Sequence, residues 1–73
     1  MTSFEKALGQ VIAEERKRQC LTQEALADTC GIHVTYISQL ERGLKSPTVR
    51  VLRLIAKSLN TSASTLLTRA DQD

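Results

Sequence analysis

A chain of 73 residues is expected to form one domain, residues 1–73, with no room for a separate ligand-sensing or catalytic unit. With 41% hydrophobic and 25% charged residues it is not a disordered chain, and it contains no apolar run long enough to cross a bilayer. The net charge of +2 is too small to define a partner, and the start MTSFEKALGQ lacks the basic end and apolar stretch of a secretory signal, so the expected location is the cytoplasm.

One Pro and three Gly leave few turn breakers, which favours long helices over many short strands. The first helix is expected to begin near Thr2–Ser3, where Thr2 and Glu5 have capping-box spacing. Phe4, Leu8, Val11 and Ile12 then form one apolar stripe, and the run EERKR fills the exposed side until about Gln19. Thr22 is a good N-cap for a short second helix that carries Ala25, Leu26 and Ala27 and stops before Gly31. Glu24 lies favourably near its positive end. A third helix spans roughly His33–Arg42 and stops at Gly43. Pro47 and Thr48 open a fourth, with Val49, Leu52, Ile55, Ala56 and Leu59 on its core face. Ser62 caps a fifth, short helix holding Leu66 and Leu67, and the tail RADQD, about residues 69–73, is expected to fray. The predicted architecture is therefore all-α with five helices.

The charge is unevenly placed. Residues 1–30 hold four Lys/Arg and five Asp/Glu, whereas Arg42–Lys57 holds five basic groups and no acid. Such a block suits a polyanion partner better than the total charge suggests, although a solvated helix face produces the same pattern. Cys20, Cys30 and His33, spaced C-x9-C-x2-H, match no paired zinc pattern, so two mostly buried thiols and no metal or other cofactor are expected. Paired carboxylates and a nucleophile–base set are also missing, which argues against an enzyme.

Gln23, Ala27, Gly31, Ile37 and Leu40 carry more information together than singly. Two helices meeting steeply across a tight turn need a small residue where their axes approach, and Ala27 supplies it. The turn needs a residue tolerant of positive φ, which Gly31 provides. Ile32, Ile37 and Leu40 would anchor the second helix. With Ile37 inward, steps of about 100° place Leu40 and Glu41 near it, and Thr35, Ser38, Gln39 and Arg42 roughly opposite.

This text resembles the lambda-repressor-like helix-turn-helix family, the Cro and phage-repressor type. The match runs from LTQEALA (Leu21–Ala27) through Gly31 and Ile32 to YISQLERG (Tyr36–Gly43), then SPT (Ser46–Thr48) and Leu52–Leu59. The resemblance implies a compact five-helix domain with its helix-turn-helix at about residues 22–42, binding double-stranded operator DNA as a two-fold homodimer. The second member of the pair would lie in the major groove. His33, Val34, Thr35, Ser38 and Gln39 would then face bases or neighbouring phosphates. Gln23, Tyr36, Arg42 and Lys45 would hold the backbone. Gln can pair with adenine, and Thr and Val can touch the thymine methyl, so A·T positions are expected to matter.

The resemblance also pairs the inward Glu41 with Arg16 in a structural ion pair, since a buried carboxylate is costly alone. The sequence departs from the family at Cys20, where Gly is usual after the first helix, and at Ala13 and Glu15. It departs again at His33, where a Ser, Thr or Asp cap is usual, which would leave the imidazole free to touch DNA. A chain this short buries only about 60–65% of its extended surface, and oligomerisation supplements such a core. Leu44, Val51, Leu54, Thr65 and Leu66 are the expected dimer contact.

The function these readings favour is a sequence-specific transcriptional regulator with no small-molecule ligand and no membrane partner. Its minimal length and motifs look like the controller proteins of restriction–modification systems, which are autoregulatory and act at promoters where RNA polymerase is a further partner. A phage Cro-like repressor or an antitoxin-type interaction module are the alternatives.

Overall fold

The computed structural model describes residues 3–72, and their secondary structure is entirely helical. The helices are α1 (Ser3–Arg18), α2 (Gln23–Cys30), α3 (Val34–Glu41), α4 (Val49–Ser58) and α5 (Ala63–Asp71). Each start that the sequence marked within this range carries its cap. Thr22 Oγ1 accepts the Ala25 amide at 3.0 Å, Thr48 Oγ1 the Val51 amide at 3.1 Å, and Ser62 Oγ the Thr65 amide at 3.1 Å. The capping box expected at Thr2 lies outside the described residues.

One device ends four of the helices. Cys20, Gly31, Gly43 and Asn60 all adopt the left-handed conformation, with φ of 60°, 69°, 73° and 56°. Each is followed by a residue whose amide reaches five positions back: Leu21 to the Arg16 carbonyl, Ile32 to Ala27, Leu44 to Gln39 and Thr61 to Ala56. These are Schellman turns, and they satisfy carbonyls that the helix end would leave bare.

The core is built from Leu8, Val11 and Ile12 of α1, Leu26 and Ala27 of α2, Ile37 and Leu40 of α3, Leu52, Ile55 and Leu59 around α4, and Leu66 and Ala70 of α5, all buried. α1 packs on α3 and α5, α2 on α3 and α4, and α4 on α5. The small residue that admits α1 to α3 is Gly9. A Cβ there would collide with the Leu40 carbonyl oxygen and stand 2.6 Å from that of Glu41.

Several sequence expectations are corrected. Phe4, at the end of its stripe, is 37% exposed, and Val49 is 74% exposed because the buried face of α4 begins only at Leu52. EERKR is not wholly a surface run, since Glu15 and Arg16 are buried. Cys20, at the left-handed end of α1, is exposed; Cys30 is buried, its Sγ 3.3 Å from the Ser58 hydroxyl. The stretch Arg69–Asp71 is helical, held by the buried Ala70 and by an ion pair from Arg69 Nη1 to Glu15 at 2.8 Å. Leu66 belongs to the core of this one chain at 0% exposure, which removes it from any dimer contact.

Candidate nucleic-acid interface

α2, the Gly31 turn and α3 form the pair that the sequence pattern anticipated. Ala27 is buried where the two helices meet, Ile37 and Leu40 are driven into the core, and Ile32 packs on its edge. α3 therefore has one fixed face, and its orientation follows from these contacts.

On the other face, Thr35 and Arg42 are exposed and Val34, Ser38 and Gln39 are half-buried. Among the described residues the side chains of Thr35, Ser38, Gln39 and Arg42 have no hydrogen-bond or ion-pair partner. A helix offering a row of unpaired hydroxyl, amide and guanidinium groups can bond to base edges or phosphates without first breaking contacts of its own. Val34 and Tyr36 rest partly against the core.

The base of α3 is held by a buried polar network. Arg16 Nε donates to Glu41 Oε2 at 2.7 Å and Nη2 to Oε1 at 2.9 Å, a two-pronged pair. Arg16 Nη1 also donates to the Leu21 carbonyl at 2.7 Å, tying the α1–α2 turn to the same knot. The Glu41 carboxylate holds the Arg16 guanidinium protonated even more firmly than usual, against the opposing effect of burial. Gln23, expected at a phosphate, donates from Nε2 to Glu41 Oε1 at 2.9 Å, leaving its second amide hydrogen for another acceptor.

His33 is not the free side chain anticipated. It is the N-cap of α3, and its Nδ1 accepts the Thr35 amide hydrogen at 3.3 Å. The imidazole therefore does the work of the Ser, Thr or Asp usual at that place.

The basic block behind α3 is also available. Arg42, Lys45, Arg50, Arg53 and Lys57 are all exposed, and among the described residues none makes an ion pair. Arg16, Arg18 and Arg69, by contrast, are engaged by carboxylates. The arginines that hold the fold together are thus separate from the free cations that follow α3.

A second buried cluster was missed in the sequence. Glu15 accepts from Arg18 at 2.7 Å, from Gln19 at 3.0 Å and from Arg69 at 2.8 Å, while Gln19 also donates to the Leu59 carbonyl at 2.7 Å. Hydrogen bonds from Arg18 and Gln19 lower the Glu15 carboxyl to a pKa of about 2, outweighing its burial, with Arg69 adding to the effect. The sequence signal was weak, because Glu15 sits in a charged run and Arg69 lies 54 positions away. Among the described residues no three His, Cys, Asp or Glu side chains gather into a metal site, and no helix is long and apolar enough to cross a membrane.

A helix-turn-helix family model matches residues 12–66, most of the chain. The chain belongs to the helix-turn-helix family. The control protein C.SmaI of Serratia marcescens is 40% identical to it over 66 residues, 90% of this chain and 79% of that protein. Among solved structures, the clp gene regulator ClgR from Corynebacterium glutamicum superposes with a TM-score of 0.90 at 28% identity, covering 94% of this chain and 73% of that one. The restriction–modification controller protein C.AhdI from Aeromonas hydrophila gives 0.81 at 28% identity, covering 84% and 92%. This helix-turn-helix protein is a DNA-binding transcriptional regulator and not an enzyme.

Proposed function

We propose that this regulator is the controller of a restriction–modification system, binding a two-fold operator as a homodimer and acting on its own promoter. The observation that carries the DNA reading is the unpartnered polar face of α3 with five free cations behind it. The controller reading is supported by the similarity to C.SmaI, which extends over 79% of that protein.

In this reading Val34, Thr35, Ser38 and Gln39 meet the major groove, together with the outer edge of His33. Gln23, Tyr36, Arg42 and Lys45 meet the backbone on either side. A two-fold site is needed because one short helix gives too little discrimination for a genome-sized search. The dimer contact draws on two of the apolar groups that the single chain leaves exposed, Leu44 at 52% and Leu54 at 39%, together with Val51 and Thr65. Binding then follows protein concentration through a coupled monomer–dimer and operator equilibrium, with no small-molecule effector. RNA polymerase is a further partner wherever the bound dimer activates transcription, and the site of action is the cytoplasm.

Duplex binding measured across a salt series, with Gln39→Ala and Arg42→Ala beside the wild type, tests this directly. The reading expects affinity to fall steeply with salt, with Arg42→Ala weakening all duplexes alike and Gln39→Ala relaxing preference at one base pair. Salt-independent binding, or two variants with the same uniform loss, would contradict it.

A further inference from the structure

His33 has two polar edges, and the fold uses only one. Its Nδ1 accepts the Thr35 amide hydrogen at 3.3 Å, which closes the first turn of α3. A ring nitrogen that accepts a hydrogen bond carries no proton, so in the neutral imidazole the single N–H sits at Nε2. Protonating the ring would add a hydrogen at Nδ1 and leave the one at Nε2 in place. The outer edge is therefore a donor in either charge state, and never an acceptor.

That edge is also unoccupied. His33 is exposed, and apart from the cap bond its side chain has no partner among the described residues. The first turn of α3 contains no carboxylate that would compete for the Nε2 hydrogen. A serine or threonine cap keeps its remaining hydroxyl hydrogen close to the backbone, whereas the imidazole caps with one nitrogen and carries a second polar atom outward on the far side of the ring.

We propose that His33 is a fixed-tautomer hydrogen-bond donor of the DNA interface, whose Nε2–H selects an acceptor on the nucleic acid. This rests on the DNA-binding reading above. The acceptor is purine N7, guanine O6 or thymine O4 on a base edge, or a phosphate oxygen on the backbone. At a base edge the donor rejects cytosine, which offers its N4 amino group there. His33 thus joins the positioning of the helix to the reading of the site.

Two measurements test this on the full-length chain. In protein labelled with 15N-histidine, two-bond proton–nitrogen correlations above the titration range of the imidazole should show Nε2 protonated and Nδ1 bare; a protonated Nδ1 would overturn the proposal. On duplexes that the wild type enriches from a random pool, His33→Ser keeps a capping oxygen and removes the far-reaching Nε2–H, its own hydroxyl hydrogen staying close to the backbone, so it should fold normally and bind about five- to tenfold more weakly. His33→Ala, lacking both, should bind as weakly and also unfold more readily.

Replacing single purines by their 7-deaza counterparts, guanine by 6-thioguanine or thymine by 4-thiothymine separates a base acceptor from a phosphate, which single methylphosphonates probe. One such replacement should weaken the wild type and leave His33→Ser unaffected. If His33→Ser binds the enriched duplexes as the wild type does, the donor assignment fails while the DNA-binding reading stands. If the wild type enriches no duplex, that reading fails and the assignment with it.

Discussion

Arg16 and Glu41 stand 25 positions apart, yet they meet through two hydrogen bonds at 2.7 and 2.9 Å, with side chains only 9% and 5% exposed. Through this pair the last turn of α3 is fixed to α1. Removing one partner strands a buried charge, so Glu41→Ala is expected to lose about 3–5 kcal/mol in urea unfolding. Arg16→Met with Glu41→Leu should recover most of that loss. A double variant no more stable than Glu41→Ala would show that the pair, and not the stranded charge, is what matters.

Gly9 makes a steric prediction. Its missing Cβ would collide with the Leu40 carbonyl and lie 2.6 Å from the Glu41 carbonyl oxygen, and neither backbone group can turn aside. Gly9→Ala should cost about 2–3 kcal/mol and loosen α3 against α1. At Gly31 a Cβ would meet nothing within 4 Å, so only the positive φ opposes Ala there. Gly31→Ala is therefore expected to cost less, about 1 kcal/mol. Thermal unfolding of the two variants checks the order, and equal losses would refute the close-approach argument.

These elements differ in how openly the sequence announces them. Thr22, Thr48 and Ser62 announce helix starts because a capping hydroxyl acts within three residues of itself. Gly31 and Gly43 announce helix ends for a similarly local reason. Glu41 was legible as an inward carboxylate from helical geometry, and its partner from the family resemblance. Glu15 was not, because its burial depends on α5 returning over α1, a long-range event that a charged run conceals. The same return explains why Arg69–Asp71 is helical and why Leu66 is core. Val49 was misplaced because apolar spacing says which residues share a face, but not where the neighbouring helix ends. The outward set of α3 was read correctly as a face, yet the capping role of His33 was missed because imidazole is an unusual cap.

Cys20 stands where a left-handed residue is required, with φ of 60°. A side chain there costs more than glycine in the folded state, though glycine gains entropy when unfolded. Cys20→Gly is expected to raise stability by about 0.5–1 kcal/mol, read from the urea midpoint at an unchanged slope. A lower midpoint would mean that the thiol makes a contact worth more than the backbone strain.

The Glu15 cluster sets an acid dependence. Its folded pKa of about 2 lies below the ordinary 4.5, so the folded state favours the carboxylate. The stability this provides is fully present above the ordinary value and is lost as pH falls from about 4.5 toward 2. Arg18 is well exposed and its contribution is screened by solvent, so the total is expected to be no more than about 3 kcal/mol. Glu15→Gln should lower stability by up to that amount between pH 5 and pH 7, where the wild type has the full contribution, and flatten the fall in unfolding free energy between about 4.5 and 2. An unchanged acid slope in Glu15→Gln would place the titration elsewhere.

In the proposed function the outward face of α3 reads duplex DNA as half of a symmetric pair. Selection by the purified chain from a pool of random duplexes measures this most directly. Enrichment of two inverted half-sites with centres about one helical turn apart is expected. A pool that yields no enriched sequence, or a single half-site with no spaced partner, would contradict it.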